Sequence, residues 1–222
     1  MSRALAKLRH PRIGRQVDHF KEVDILGITA CFSKDTTKRF GLYLPYKKNI
    51  SDTSRTKRAA IVLKNPSSAD ATKADKTIRT AAKVIYETFS DISSLEVLNL
   101  FSYRATETKD LQNTFDACHN KTTIGMLGHC CENTAHFKRI LTAIDYCICA
   151  WGGPSNINRD LYIEAINAFW NLCIPATSNQ PEFYRKSEKG SRLYPFHACC
   201  WPYNDDFTPI YISTKVNISP LK

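Results

Sequence analysis

Polar residues that directly follow a short apolar stretch are the first candidates for chemistry in this sequence. Residues 59–63 are apolar, which is typical of a buried strand, and Pro66 ends that strand because it cannot donate to a ladder. The polar residues of the following turn are Asn65, Ser67, Ser68 and Asp70. They lie at the carboxyl end of a strand, where open α/β sheets bind ligands. Alternatively, Asn65 and Asp70 only satisfy backbone groups of an ordinary turn.

Two later strands also end in residues that could contact a ligand. Residues 95–106 are typical of a buried strand, with the amide of Asn99 among apolar neighbours. A buried amide needs hydrogen-bond partners, so Asn99 either ties down nearby backbone or faces a pocket and reads the edge of a ligand. Arg104, just past this strand, either binds an anion or braces a loop. Residues 144–153 form a third strand that ends in a glycine turn.

The segment after the last helical pattern carries cations and aromatic rings. Residues 180–192 are expected to form a basic loop that bears aromatic side chains. A second loop, residues 193–203, contains His197 and Trp201. Each of these two residues is either structural or part of a site.

The order of these strands predicts the fold class. Helical patterns at 77–89, 121–143 and 160–172 alternate with the strands. This alternation predicts an α/β fold of three layers, with a central, mostly parallel four-stranded sheet and helices on both faces. Residues 25–32 and 39–44 predict an N-terminal antiparallel hairpin that either joins the sheet or caps one side.

The 222 residues fit one domain with a sizeable core. We expect residues 1–58 to hold a basic arm, the hairpin and a charged connector, and residues 59–222 to form the α/β core. A final strand is expected near residues 209–213.

The net charge of +10 is concentrated at the start of the chain. Residues 1–60 contain 14 Lys and Arg against 5 Asp and Glu, a balance of +9, which leaves +1 for the remainder. A concentrated basic surface favours a polyanionic partner, of which nucleic acid is the commonest. The alternative is a solvated basic tail without a partner.

Composition excludes some classes of protein. No run of 18 apolar residues occurs, which excludes a membrane-spanning helix. Nine cysteines without a secretory signal predict a cytoplasmic protein with reduced thiols. One cluster has metal-ligating side chains: Cys118, His119, His129, Cys130, Cys131 and His136. The sequence contains no Cys-x-x-Cys pair, so we expect free cysteines, no metal and no cofactor. The alternative is that this cluster binds zinc or an iron–sulfur cluster.

Four segments together resemble a known pattern in the correct order. They are Leu63–Asp70 (L-K-N-P-S-S-A-D), Asn99–Thr106 (N-L-F-S-Y-R-A-T), Ala150–Gly152 (A-W-G) and a terminal element that begins at His197. An uncharacterised prokaryotic family with an L-N-P-S-x-A-D strand end shares these motifs. That family in turn resembles the uracil-DNA glycosylase superfamily. The resemblance covers the chain from about residue 25 to the end.

The resemblance implies catalytic roles for three residues. Asn65 matches the residue that positions the attacking water, and His197 matches the histidine that stabilises negative charge on the departing base. An amide cannot act as a general base, so we expect a carboxylate to activate the water: Asp70 is nearest and Asp75 is next. Ala198 stands where the superfamily has proline, which is a departure from the pattern.

The resemblance also implies how the base is held. Asn99 matches the residue that hydrogen-bonds a flipped base, and Ser67, Ser68 and Tyr103 are expected to line the same pocket. Uracil-specific members have a tyrosine that closes the space at C5 where this chain has Ser67. A small residue there favours a pyrimidine with a bulky C5 group, such as the glucosylated hydroxymethylcytosine of phage DNA, which a related bacterial anti-phage glycosylase excises.

The expected activity is therefore that of a monomeric DNA glycosylase that acts on double-stranded DNA and leaves an abasic site. The residues expected to contact DNA are Arg104, Arg185, Lys186, Arg192 and Trp201. Trp201 or Tyr203 is expected to fill the gap left by the flipped nucleotide. Two alternatives remain: a non-catalytic nucleic-acid-binding module of the same fold, and a hydrolase of free nucleotides or nucleosides.

Overall fold

In a computed structural model of the protein, the residues described are 16–47, 54–173, 180–186, 194–201 and 206–210. The strands in these residues are β1 (Gln16–Val17), β2 (Thr29–Phe32), β3 (Arg39–Pro45), β4 (Lys57–Leu63), β5 (Ala74–Asp75), β6 (Ile92–Asn99), β7 (Tyr146–Cys149), β8 (Glu182–Lys186) and β9 (Phe207–Ile210). The α-helices are α1 (Lys76–Thr88), α2 (Thr108–Cys118), α3 (Cys131–Leu141) and α4 (Arg159–Cys173).

The main sheet is mixed and has seven strands in the order β2-β3-β6-β4-β7-β8-β9. The pairs β6–β4, β4–β7 and β7–β8 are parallel, whereas β2–β3, β3–β6 and β8–β9 are antiparallel. The α/β class is confirmed. The predicted count of four strands is wrong, and the parallel character is only partial. Strands β1 and β5 pair separately.

The extra strands come from two places. The predicted N-terminal hairpin forms β2 and β3, and it joins the sheet because Leu42 of β3 pairs with Val97 of β6. Residues 182–186, predicted to be loop, form β8, and β9 pairs antiparallel with it. Strand β3 pairs with β6, and β9 pairs with β8. Both outer strands of the parallel set β6-β4-β7-β8 are therefore paired, and their backbone N–H and C=O groups are not left open at an edge.

Two of the three predicted helices are confirmed by α1 and α4, but the third differs. Within residues 121–143, the helix runs only over Cys131–Leu141, and α2 lies before this segment. Gly125 and Gly128 have φ of +66° and +87°, which helical residues do not adopt. Residues 121–130 therefore form turns. Within the part of the chain that the structure describes, no helix is both long and apolar enough to cross a membrane.

Helices cover both faces of the sheet. Along β4, Ala60 and Val62 lie in an apolar cluster that includes Phe169 of α4. Ile61 lies in a second cluster with Ile85 of α1. Alternate residues of a strand point to opposite faces, so these clusters occupy opposite sides of the sheet and make three layers.

The carboxyl ends of β6, β4 and β7 lie at one edge of the sheet because the three strands are parallel neighbours. Backbone hydrogen bonds continue past the strand ends: Leu100 donates to Leu63, and Ala150 donates to Val62, each at 2.9 Å. We call this region the strand-end edge; it comprises residues 64–70, 99–105 and 150–153. The turns that carry the first three sequence motifs are thus adjacent.

The central position of β4 predicts a large effect of truncating its side chains. Ile61 is 0% exposed, whereas Ile25, in the turn before β2, is 59% exposed. Ile61→Ala should lower the free energy of unfolding by about 2–5 kcal/mol because it leaves a cavity. Ile25→Ala should change it by less than about 0.5 kcal/mol. Urea denaturation measures both, and equal losses would contradict a central β4.

Candidate functional site

Asn65 joins two of the turns at the strand-end edge. Its Nδ2 donates to the carbonyl of Ala105 at 2.6 Å and to that of Pro66 at 3.4 Å. The backbone supports the same link, since the N–H of Ala105 donates to Pro66 at 2.9 Å. Both side-chain bonds use the amine, so the Oδ1 of Asn65 is left to accept a hydrogen bond from another group.

Asp70 is a turn residue. Its Oδ1 accepts hydrogen bonds from the N–H and hydroxyl of Thr72, each at 2.8 Å, and from the N–H of Lys73 at 3.0 Å. Burial acts to raise the pKa of Asp70, but these hydrogen bonds outweigh it and hold the pKa below its usual value. The structure therefore matches the alternative in which Asp70 satisfies backbone groups.

Asp75 is the other carboxylate close to the turn. It caps α1 by accepting from the N–H of Ile78 at 2.8 Å, and its second oxygen accepts a hydrogen bond from the hydroxyl of Ser67. Its negative charge raises the pKa of both Arg39 and His197, against the larger effect of their burial. Asp75 therefore contacts the strand-end edge through Ser67, and its charge acts on two groups that pack beside it.

The two serines of the turn differ in exposure. Ser67 is half-buried, and its hydroxyl is bonded to Asp75. Ser68 is 3% exposed, and its carbonyl accepts from the side chain of Gln16 at 3.1 Å. Of the two side chains, Ser67 is the one more accessible to a ligand.

Asn99 is a buried amide in the part of β6 that reaches the strand-end edge. It is 0% exposed, and within the described residues neither its Oδ1 nor its Nδ2 has a partner. Alternation along β6 places it on the same side of the sheet as Val97, toward α1. Leaving such groups unpaired costs about 1–3 kcal/mol each, so an ordinary structural amide would be bonded. Asn99 therefore does not tie down nearby backbone.

Gly152 allows His197 to pack at this edge. The glycine has φ of +70°, and its N–H donates to the carbonyl of Pro195 at 3.0 Å. A Cβ at position 152 would lie 2.8 Å from the Cβ of His197. Only glycine fits both constraints, which explains the glycine turn after β7.

The hydrogen bonds of His197 determine its tautomer. Its Nδ1 accepts from the N–H of Cys199 at 3.2 Å, so the ring proton is assigned to Nε2. Burial, assisted by the positive charge of Lys64, lowers the pKa of His197 to about 4. At neutral pH the ring is an uncharged hydrogen-bond donor.

Lys64 is a site residue that the sequence reasoning missed. It follows β4 directly, is 5% exposed, and donates to the hydroxyl of Ser155 at 3.1 Å. Its Nζ lies 5.4 Å from the centre of the Tyr162 ring, and burial lowers the pKa of Lys64 to about 8. The feature of the sequence that could have indicated this residue is a lysine between an apolar run and Asn65.

Arg39 was missed as well. It begins β3, is 1% exposed, and donates to the carbonyl of Ala69 beneath the turn after β4. Burial lowers the pKa of Arg39 to about 10. Its Nε has no partner within the described residues. A charged residue at the start of an otherwise apolar strand was the signal in this case.

Two residues expected near the base or the DNA, Tyr103 and Arg104, make contacts within the protein that fit structural roles. Tyr103 is 5% exposed and packs in the cluster on the α3 and α4 side, whereas Asn99 lies toward α1. Arg104 donates from Nε to Ser67 at 3.5 Å and from a terminal nitrogen to Thr36 at 3.4 Å. Arg104 therefore braces the loops, which is one of its two predicted alternatives.

The C-terminal candidates for DNA contact are mostly not on the surface. Lys186 is 1% exposed, and its Nζ lies 5.1 Å from the centre of the Phe207 ring, so its burial does not fit a phosphate contact. Trp201 is 4% exposed and donates to Phe196 at 3.0 Å, which fits a core residue and not a wedge. Arg185 is half-buried in β8. Arg192 and Tyr203 lie outside the described residues.

The residues of the cysteine and histidine cluster are divided among other contacts. His129 pairs with Glu164 at 2.6 Å, and His136 pairs with Glu96 at 3.2 Å. Cys130 is buried, whereas Cys118 and Cys131 are exposed. Among the residues that the structure describes, no three His, Cys, Asp or Glu side chains are grouped to hold a metal ion.

The fold and site together define a mixed α/β protein with a polar, partly buried site at the carboxyl ends of parallel strands. Residues 47–194 match the family described as "Protein of unknown function (DUF1643)", and the chain belongs to that family. Asn65, Asn99 and Gly152 lie inside the matched region, whereas His197 follows it. No match was found among curated proteins or among solved structures.

The neutral His197 predicts a pH-dependent stability. Its folded pKa of about 4 is below the ordinary value of 6.5, so between these values the unfolded chain binds more protons. The contribution of His197 to stability is therefore lost as pH falls from about 6.5 to about 4. In His197→Gln, the free energy of unfolding should fall less over this range than in the unaltered protein.

Urea denaturation at several pH values measures this effect. His119→Asn is the matched control, because His119 is exposed with φ of 46°, a conformation that asparagine tolerates. An identical pH profile for the His197 variant and the unaltered protein would contradict a neutral His197.

Proposed function

We propose that the protein is a DNA glycosylase that flips a modified pyrimidine out of duplex DNA, cleaves its N-glycosidic bond and leaves an abasic site. The observation that carries this proposal is Asn99, a fully buried amide with no side-chain partner within the described residues. It lies at the strand-end edge beside Leu63, one residue before Lys64. A polar group buried without a partner is typical of a site that binds a polar ligand.

The chemistry of an amide suits a nucleobase. The Oδ1 of Asn99 accepts a hydrogen bond and its Nδ2 donates two, so the side chain can pair with the neighbouring donor and acceptor of a pyrimidine edge. Enzymes that act on a base take it out of the stack and read that edge by hydrogen bonds. Asn99 would then supply recognition, and binding of the base would satisfy its buried polar atoms.

His197 would assist departure of the base. Cleavage of an N-glycosidic bond leaves electrons on the base and positive character on the sugar. A neutral imidazole that donates from Nε2 can stabilise the negative charge without first being protonated. The pKa of about 4 keeps His197 in this form at neutral pH.

Water positioning would fall to Asn65 and a carboxylate. The Oδ1 of Asn65 can orient a water molecule, since its amine is already bonded to Ala105. We assign the carboxylate role to Asp75 in preference to Asp70, because Asp75 accepts from Ser67, the residue expected to line the pocket, whereas the hydrogen bonds of Asp70 hold its own turn. The charge of Asp75 also acts on His197, which supports this assignment.

The sheet supports the proposed superfamily. Four neighbouring parallel strands, β6-β4-β7-β8, lie at its centre. This is the arrangement that the resemblance to uracil-DNA glycosylases implies. The net charge of +10 favours a phosphate-rich partner such as double-stranded DNA. A serine at position 67 would obstruct a C5 substituent less than a tyrosine, and our proposed substrate is glucosylated hydroxymethylcytosine of phage DNA, with a role in antiviral defence.

The central experiment measures base release. Full-length protein is incubated with duplexes that each contain one pyrimidine: uracil, cytosine, hydroxymethylcytosine or its glucosylated form. Alkali then cleaves any abasic site. We expect breaks at the glucosylated base. Binding without breaks would instead support a non-catalytic module, and activity on free nucleosides alone would support a nucleoside hydrolase.

Asn99→Leu tests whether Asn99 binds the base or stabilises the fold. The two side chains have similar size, and replacing an unpartnered buried amide with an apolar group should leave the free energy of unfolding unchanged or raise it. Base release should fall by a factor of about 10² or more, because the hydrogen bonds to the base are lost. Urea denaturation and the alkali assay measure the two effects. A destabilised variant that retains base release would refute the assigned role.

Ser67→Tyr tests the pocket for the C5 group. The ring should block a glucosylated base sterically and lower its excision by about 10²-fold or more, while Ser67→Ala removes only the hydroxyl bonded to Asp75. The alkali assay compares both variants on the same duplex. Excision by the tyrosine variant at the unaltered rate would mean that the C5 group points elsewhere.

A further inference from the structure

Lys64 is a buried amine that has no anionic partner among the residues that the structure describes. It is 5% exposed, and in the described part of the chain no carboxylate forms an ion pair with it. Its contacts are the hydroxyl of Ser155 at 3.1 Å and the ring of Tyr162 at 5.4 Å. Burial of an ammonium group without a counter-charge is unfavourable, so the neutral amine is favoured there.

Lys57, at the opposite end of β4, has the partners that Lys64 lacks among the described residues. Lys57 donates to the hydroxyl of Tyr146 at 2.5 Å and lies 3.1 Å from Asp91. These contacts raise the pKa of Lys57, whereas burial lowers that of Lys64 to about 8. Near pH 8, about half of the Lys64 side chains would therefore carry a free electron pair, which nucleophilic amines require.

The position of Lys64 is close to the other residues of the proposed site. It lies between β4 and Asn65, and its carbonyl accepts from the N–H of Phe101 at 2.9 Å. Its charge acts on His197. The ring of Tyr162 beside it is fixed, because its hydroxyl donates to the carbonyls of Trp151 and Gly152 at 3.0 and 2.9 Å. The amine therefore lies at the strand-end edge, on the side of the sheet that carries Tyr162, and its charge reaches His197.

We propose that Lys64 forms a Schiff base with the abasic sugar that remains after the base has left. This inference rests on the proposed glycosylase function and adds a lyase activity to it. Loss of the base leaves a sugar whose open form has an aldehyde at C1′. The neutral Nζ adds to C1′, and one proton transfers from nitrogen to the oxygen. A second proton, taken from solvent water, lets that oxygen leave as water and gives a protonated imine.

The imine has a defined chemical consequence. It makes the C2′ hydrogen acidic; water takes that proton, the electron pair forms a C2′–C3′ double bond, and the 3′ phosphate leaves. The DNA strand is then broken on that side. A second water molecule hydrolyses the imine and restores the Lys64 amine. No metal, oxidant or reductant is needed for these steps.

The test uses full-length protein and duplex DNA with one preformed abasic site, in the presence of borohydride. Borohydride reduces an imine to a stable amine and so links protein to DNA. We expect a covalent complex whose digest places the DNA remnant on the peptide containing Lys64. Its yield should rise with pH between 7 and 9, as the amine loses its proton.

Variants of two lysines test whether Lys64 is the amine that forms the complex. Lys64→Met and Lys64→Arg should each lower the yield at least tenfold, whereas Lys57→Arg should retain it. Peptide mapping of the unaltered protein requires no variant, so a poorly folded Lys64 variant does not weaken the test. Absence of a complex, a remnant on another residue, or a full yield with both Lys64 variants would overturn the proposal.

The preformed abasic site separates this inference from the proposed function. Base release from modified duplexes without a trapped complex would leave the glycosylase proposal standing and refute the role of Lys64. A Lys64 complex with no base release from any duplex would support the nucleophile and refute the glycosylase.

Discussion

The parallel pairing of β4 with both β6 and β7 is the constraint on which the rest of the structure depends. Because the three strands run in one direction, the turns after them meet at one edge of the sheet. Covering both faces of β4 with apolar clusters makes that sheet stable. A site made from residues far apart in sequence follows from this topology alone.

The strand-end edge differs from the apolar layers in what it buries. Asn99, Lys64 and Arg39 are each at most 5% exposed, yet each is polar or charged. Apolar residues of similar size would avoid the unfavourable burial of these groups. Their concentration beside one set of turns is hard to explain by stability, and it is expected where a polar ligand must be bound in an environment that excludes water.

Sequence patterns predicted the strands and helices that depend on local residue order, and they failed for features that depend on contacts between distant segments. Apolar runs and caps indicated β4, β6, β7, α1 and α4, and the amide of Asn99 was noticed because it interrupts an apolar run. The strand β8 was missed, since Phe183, Tyr184 and Arg185 show no clear alternation and pair only through β7 and β9. The burial of Lys64 and Lys186 was not predictable, because the groups that enclose them come from distant segments.

The protonation states of Lys64 and His197 depend on each other. The positive charge of Lys64 lowers the pKa of His197, so a proton on one group disfavours a proton on the other. No carboxylate pairs with Lys64 in the described residues, and Asp75, whose charge acts on His197, is held by Ser67 and the start of α1. A carboxylate in contact with Lys64 would stabilise its ammonium form, and one in contact with His197 would stabilise the imidazolium. The position of Asp75 therefore lets one site contain a neutral imidazole donor and an amine that can be deprotonated near neutral pH.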